Sequence, residues 1–144
     1  MSIDDDRKMM RRFIEEVYQN GNFGLVEEMV ADDIEEHEEM GGGTSVGREG
    51  IIKSISDFRK AFPDLSVTIE DEFAEGDRIF MRSTWHGTHQ GEFMGIDPTG
   101  KQVSFESMDE IRMDHGKLKE HWGITDTLSL LVQLGALSLP GPPG

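Results

Sequence analysis

The first third of the chain spaces its apolar residues as a helix does. Between Asp4 and Gln19 they stand three or four positions apart, at Met9, Met10, Phe13, Ile14, Val17 and Tyr18. Such a stripe predicts an amphipathic helix, which Gly21 ends. The same spacing predicts a shorter helix over 23–30 and a longer one over 47–62, which Pro63 stops.

The rest of the chain is patterned differently. The acidic segment 33–40 predicts a short strand, and the glycines at 41–43 form a flexible link. After residue 63, apolar and polar residues alternate, which is typical of strands. Four strands are predicted, over 65–73, 79–90, 103–113 and 118–124. A final helix begins at Thr125 or Asp126, and Gly135 lies past its end.

These elements predict an α+β domain over residues 1–137. Its N-terminal helices pack on one face of a curved antiparallel sheet and enclose a pocket, where small ligands commonly bind. The last residues, 138–144, are rich in proline and glycine, so a flexible tail is expected there.

The predicted strand 103–113 carries one carboxylate on a largely apolar face. That face holds Val103, Phe105, Ser107, Asp109, Ile111 and Met113. A carboxyl group beside an apolar interior is suited to proton transfer near neutral pH. Asp109 is therefore a candidate acid/base, and the alternative is an Asp that only hydrogen-bonds neighbouring backbone.

Composition excludes several classes of function. The 144 residues carry 29 acidic and 14 basic side chains, a formal charge of −15, which repels phosphate backbones and anionic membrane surfaces. No apolar run reaches the roughly 20 residues that a membrane helix needs. Without cysteine, the chain has neither disulfides nor thiolate ligands. We expect a cytoplasmic protein that binds neither nucleic acid nor membranes.

Several short pieces occur in an order and spacing that resemble one family. They are AFPDL at 61–65, AEGDR at 74–78, GTHQGEF at 87–93, PTGK at 98–101, HGKL at 115–118, EHW at 120–122, Asp126, and QLG at 133–135. From about Asp6 to Gly135, the chain resembles the SnoaL-like polyketide (ester) cyclases of the nuclear-transport-factor-like superfamily.

This resemblance implies a cone-shaped α+β barrel, usually dimeric or higher, that works without a cofactor. Characterised members close a ring by intramolecular aldol condensation. A carboxylate takes a proton from a carbon flanked by carbonyls, and the enolate attacks an aldehyde or ketone. Relatives on the same fold isomerise, dehydrate, open epoxides or hydroxylate, and some only bind, so the fold alone does not supply the chemistry.

The chain departs from the family at one important position. The ring-closing members place their acid/base Asp two residues after the His that matches His121, and here that position is Gly123. Glycine cannot transfer a proton, so their mechanism is not carried over intact. A second polar position of those members, a His, matches Asp109, which supports a place for Asp109 in the pocket.

The pattern of the predicted last strand does not decide whether His121 or Trp122 faces the pocket. Leu118, Trp122 and Ile124 share one parity, which turns His121 to the other face unless a β-bulge near Gly123 intervenes. A pocket-facing His121 would pair with Asp109 to handle protons, and otherwise it is a surface histidine. Trp122 would stack on a flat substrate or belong to the core.

Three further residues are candidate substrate contacts. Trp85 lies on the apolar face of its strand, and Met108 could shape an adaptable pocket. His37, within E-E-H-E-E, stands at a pocket rim or in a solvated segment. No residues have convincing metal-ligand spacing, so no metal is predicted. Asp126 matches a family position, but its place at a helix start favours capping.

Two classes of function follow. The first is a cofactor-independent cyclase- or isomerase-type enzyme that acts on a small ketone- or ester-bearing, polyketide-like substrate. In it Asp109 handles the proton and His121 assists. The alternative is a binding module for a small apolar ligand, which Gly123 favours, or a cofactor-free hydroxylase. A homodimer is expected in either class.

Overall fold

The computed structural model of the protein describes residues 2–38 and 47–141. Within these ranges the helices are Ile3–Phe13 (α1), Val26–Met29 (α2), Gly47–Ala61 (α3) and Thr127–Gln133 (α4). The strands are Val30–Glu36 (β1), Ser66–Glu75 (β2), Arg78–Thr88 (β3), Gln102–Asp114 (β4) and Lys117–Thr125 (β5). The glycine link at 41–43 and the last three residues lie outside the described residues.

The first helix begins with a capping box. The Ser2 hydroxyl accepts a hydrogen bond from the Asp5 backbone N–H at 3.1 Å, and the Asp5 carboxylate accepts one from the Ser2 backbone N–H at 3.3 Å. After α1 the helix widens into a π-helical segment, Ile14–Gln19, and ends before Gly21, whose φ is +71°. The predicted helix over 4–19 is thus present, with its second half wound more loosely.

The strands form one sheet in the order β1-β5-β4-β3-β2. The strands β2 to β5 pair as an antiparallel meander, as predicted, but β1 runs parallel to β5. A parallel neighbour needs a long connection, which α3 and the meander supply. The predicted α+β class is confirmed. Two details of that prediction are wrong, because the sheet is mixed rather than wholly antiparallel and is open rather than closed into a barrel.

One face of the sheet, here called the inner face, packs against the helices. Two buried apolar clusters lie on it, and β4 contributes to both. Val103 and Phe105 belong to one cluster, and Ile111 and Met113 belong to the other. Asp109 therefore stands between two apolar clusters, on the face that the alternation of β4 predicted.

The chain's last helix packs beside β4. The Asp126 carboxylate accepts a hydrogen bond from the Ser129 backbone N–H at 3.0 Å, which confirms the predicted N-cap. Residues 137–141 form neither helix nor strand. Across 2–38 and 47–141, none of the helices is long and apolar enough to cross a membrane.

Candidate active site

A polar band crosses the inner face between the two apolar clusters. Ser107 and Asp109 supply it from β4, and Ser83 of β3 stands opposite Ser107 in the strand register. Ser83 and Ser107 are 1% and 4% exposed. The Ser83 hydroxyl has no hydrogen-bond partner in the described part of the chain, which is unusual for a buried polar group.

A continuous chain of hydrogen bonds runs through this band. The Trp85 indole N–H donates to Ser107 Oγ at 2.8 Å, and the Ser107 hydroxyl donates to Asp109 Oδ2 at 2.8 Å. Asp109 Oδ1 lies 2.8 Å from His121 Nε2, and His121 Nδ1 lies 2.7 Å from Glu36 Oε1. The structure thus brings together the two residues that the sequence proposed as a proton-handling couple.

A register shift in β5 turns His121 toward the inner face. In the pairing with β4, Met113 lies opposite Leu118, whereas the preceding Arg112 lies opposite Glu120. Lys119 is therefore an extra residue, and the parity of the strand changes there. The sequence allowed for a bulge near Gly123, but the bulge lies four residues earlier. Leu118 and His121 consequently share a face.

Two carboxylates hold His121 in its charged form. Burial by itself would lower the pKa of His121, but the hydrogen bonds that it donates to Asp109 and Glu36, together with their negative charges, outweigh burial and raise this pKa to about 10. With both ring nitrogens engaged by carboxylates, the imidazolium donates at Nε2 and at Nδ1. At neutral pH the group is a cation that fixes Asp109 in position.

The end of β1 adds two carboxylates that the sequence interpretation missed. Glu36 and Glu38 stand two residues apart, so both side chains turn inward while His37 turns outward. Glu36 reaches His121, and its Oε1 also accepts from the Glu38 backbone N–H at 2.9 Å. The alternate spacing of Glu36 and Glu38 within E-E-H-E-E could have indicated that both side chains share one face. A charge run of this kind, however, usually indicates a solvated segment.

Glu38 occupies the space beside Gly123. A Cβ atom at position 123 would lie 2.6 Å from Asp109 Oδ1 and closer still to Glu38 Oε2. The Thr125 hydroxyl donates to Glu38 Oε1 at 2.6 Å. Burial raises the pKa of Glu38 and the nearby charge of Asp109 adds to the rise, although the Thr125 hydrogen bond opposes it. The absence of a side chain at 123 thus makes room for a carboxylate from another strand.

Tyr18 covers the band from the helical side. Its ring meets the Trp85 ring edge-on, with the centroids 5.1 Å apart, and packs against both apolar clusters. Burial raises the pKa of Tyr18, and the negative charges of Glu36, Asp109 and Glu38 raise it further. Its hydroxyl therefore stays protonated and can donate a hydrogen bond.

The remaining sequence candidates divide between the two faces of the sheet. Trp85 lies on the inner face. Trp122 lies on the outer face, where its ring stacks on His37 at 4.9 Å between centroids and the Arg78 guanidinium covers it at 4.9 Å. Met108 is also on the outer face, with 63% of its surface exposed. Asp109 and His121 are therefore separated from Trp122, His37 and Met108 by the sheet.

Within residues 2–38 and 47–141, two groups of side chains come close enough to share a cation. Glu38, Asp109 and His121 each bring one ligand atom within 4.8 Å of the others, and Glu35, His37 and Glu120 do so on the outer face. In the inner group, however, both His121 nitrogens already bond to carboxylates, and a protonated imidazole has no lone pair for a metal. The inner group is therefore suited to proton transfer rather than to metal binding.

Comparisons with known proteins point to one family. Residues 8–134 match the family model of SnoaL-like polyketide cyclases. A similar protein is the aklanonic acid methyl ester cyclase DnrD of Streptomyces peucetius, which is 29% identical over 99 residues, 68% of each chain.

Solved structures show the same architecture. TsrD from Streptomyces laurentii has a TM-score of 0.85 at 26% identity, covering 95% of this chain and 99% of that one. AclR from Streptomyces galilaeus, whose proposed activity is that of a hydroxylase, has a TM-score of 0.82 at 33% identity, covering 95% and 100%. Because the family model spans most of its length, the chain belongs to the SnoaL-like polyketide cyclase family.

Proposed function

We propose that this protein is a cofactor-independent cyclase- or isomerase-type enzyme that acts on a small ketone- or ester-bearing, polyketide-like substrate by proton transfer. The observation that carries the proposal is the 2.8 Å contact between Asp109 Oδ1 and His121 Nε2, made on the inner face between two apolar clusters. Such a pair in an apolar setting is typical of acid/base sites.

Asp109 takes the proton in this proposal. The carbon that loses it is flanked by carbonyls, so its electron pair becomes an enolate that attacks a ketone of the same molecule. His121 holds the Asp109 carboxylate in place and supplies positive charge where negative charge develops. Trp85 and Tyr18 provide aromatic surface beside the carboxylate for a flat substrate.

The first test is turnover of aklanonic acid methyl ester, the compound named for the relative DnrD. We expect ring closure with purified protein and no added cofactor, followed by chromatography and mass spectrometry. The variant Asp109→Asn should lose at least about 100-fold in turnover, since it removes the base and keeps the shape. Equal turnover by the variant would remove Asp109 from the mechanism.

Glu106→Gln is the matched control for that experiment. Glu106 lies on the same strand, but its side chain points outward and is exposed. The substitution makes the same carboxylate-to-amide change away from the site, so turnover should stay within about twofold. A large loss in both variants would indicate damage to β4 rather than loss of a base.

Gly123 favours a binding module as the second candidate function, because the family's usual acid/base is missing there. In that case a polyketide-like ligand would be recovered unaltered after incubation, and Asp109→Asn would change its affinity alone. The likeness to AclR adds hydroxylation as a further candidate. That reaction would consume oxygen, which an oxygen electrode would detect during turnover.

We also propose that the protein is a homodimer. The outer face exposes large apolar side chains on three strands, with Phe73 of β2 61%, Met108 of β4 63% and Ile124 of β5 79% exposed. In the strand register Met108 stands directly opposite Ile124. Apolar patches of this kind mark interaction surfaces. A second copy is the proposed occupant, since relatives in this family usually pair.

A further inference from the structure

Glu38 stands beside the proposed base without being part of its hydrogen-bond chain. Both oxygens of Asp109 are engaged, one by Ser107 and one by His121. Glu38 Oε1 is engaged by Thr125, whereas Oε2 accepts no hydrogen bond from any residue in 2–38 or 47–141. One oxygen of Glu38 is therefore free to hydrogen-bond a bound molecule, beside Gly123 and Asp109.

The two carboxyls have different surroundings. Asp109 accepts hydrogen bonds from the Ser107 hydroxyl and from His121. Glu38 is half-buried, and it faces Asp109 across the position of Gly123. Burial and the neighbouring charge of Asp109 raise the pKa of Glu38, which suits this carboxyl to hold a proton.

An aldol ring closure needs such an acid as well as a base. When the enolate carbon bonds to the ketone carbon, the π electrons of that C=O move to its oxygen and leave an alkoxide. A proton must reach this oxygen before the product can leave. The proposed function assigns a group to the first proton transfer and none to the second.

We propose that Glu38 is the proton donor of the reaction, giving the proton on its free oxygen to the alkoxide that forms as the ring closes. This inference rests on the proposed function. Asp109 takes the carbon-bound proton, the new C–C bond forms, and Glu38 is left as an anion. The proton on Asp109 then passes to Glu38, which resets the pair, so that no proton is gained or lost overall.

The experiment separates the two proton transfers with aklanonic acid methyl ester in D2O. Deuterium entering the substrate carbon reports the base, and ring closure reports both steps. We expect Glu38→Gln to close the ring at least about 100-fold more slowly, yet to exchange the carbon-bound proton within about threefold of the parent protein. Asp109→Asn should lose exchange and closure together.

Each other result of that experiment is decisive. Ring closure at the parent rate by Glu38→Gln would overturn the role of Glu38 and leave the proposed function intact. Equal losses of exchange and closure in Glu38→Gln would also overturn it, since the residue would then act before the enolate forms. If the parent protein neither exchanges nor cyclises the compound, the proposed function itself fails.

Two controls exclude a merely structural effect. Glu35→Gln makes the same change on the outer side of β1, where the side chain is exposed, and should leave both rates unchanged. Glu38→Asp keeps an acid on a side chain shorter by one methylene and should recover part of the ring closure. No recovery at an unchanged melting temperature would count against proton donation.

The pH profile gives an independent readout. The groups that face Glu38 are Asp109 on β4, His121 on β5, Glu36 on β1 and Tyr18 on the helical side. Thr125→Val removes the hydroxyl that favours the Glu38 anion, so the alkaline limb of ring closure should move to higher pH. An alkaline limb that stays in place would assign it to another group and overturn the proposal.

Discussion

At the scale of single residues, the site depends on charges that neutralise one another. The His121 imidazolium lies between the carboxylates of Asp109 and Glu36, at 2.8 and 2.7 Å. A buried charge is tolerated only when it is paired and hydrogen-bonded, and removing one partner leaves the others uncompensated. Each member of this trio is therefore expected to influence both activity and stability.

The His121 charge makes stability depend on pH in a defined direction. The pKa of His121 is raised from 6.5 in the unfolded chain to about 10 in the folded protein, so its stabilising contribution is complete below about pH 6.5 and disappears as pH rises toward 10. Between pH 6.5 and 10, the parent protein should lose on the order of 4 kcal/mol more unfolding free energy than His121→Asn. Urea unfolding at both pH values measures this.

The comparison with His121→Asn is needed because the net charge of −15 also becomes more negative over this range. Repulsion among surface carboxylates affects both proteins alike and cancels in the difference. Parallel pH curves for the two proteins would show that His121 is not charged in the folded state. A steeper fall for the variant would contradict the assigned direction.

At the scale of elements, the sequence predicted the regular parts of the site and missed the irregular one. Alternation along β4 placed Asp109 on the correct face because the strand pairs with β3 and β5 over most of its length. The face of His121 could not be predicted, because an extra residue at Lys119 changes the parity of β5. Bulges depend on pairing with a neighbouring strand, which the local pattern does not record.

The contribution of β1 was hidden for a related reason. The inward carboxylates of Glu36, at the end of β1, and Glu38, just after it, belong to a predicted strand so acidic that contact with solvent is the ordinary interpretation of its side chains. They become site residues only through β5, whose His121 stands opposite Glu36 in the parallel register. Pairing between segments this far apart in the chain leaves little trace in a single sequence.

Variants of Asp126, at the start of the last helix, can distinguish a capping role from a role in the reaction. Asp126 caps α4 through the Ser129 backbone N–H, so Asp126→Ala should lower the unfolding free energy by about 1 kcal/mol. Asp126→Asn keeps an oxygen acceptor at the cap and should cost only a few tenths of that. Thermal unfolding and turnover are the measurements, and turnover should not change in either variant. Loss of turnover at full stability in both would instead place Asp126 in the reaction.

At the scale of the whole molecule, the sheet separates two surfaces with different roles. The inner face carries Asp109 and His121, the proposed acid/base pair, between apolar clusters, and the outer face carries exposed Met108 and Ile124 beside a network of arginines and glutamates. Arg78 and Glu110, on the same outer face, form an ion pair within one chain. Charged residues of this kind can also form ion pairs between two copies of the chain.

The proposed dimer is tested by placing charge on that outer surface. The double variant Met108→Glu and Ile124→Glu should convert a dimer of about twice 16.2 kDa to a monomer, because burying like charges opposes association. Analytical ultracentrifugation measures the mass directly. The exposed Leu139, which lies outside the helices and strands, is a matched site, and Leu139→Glu should leave the dimer intact.

The parallel pairing of β1 with β5 has a consequence for how the protein acquires its activity. Glu36 precedes His121 by 85 residues in the chain, so the two side chains meet only after the segment between them has folded. Because contacts between such distant segments form late and slowly, a nascent molecule should become competent all at once, when its final strand takes its place between β1 and β4.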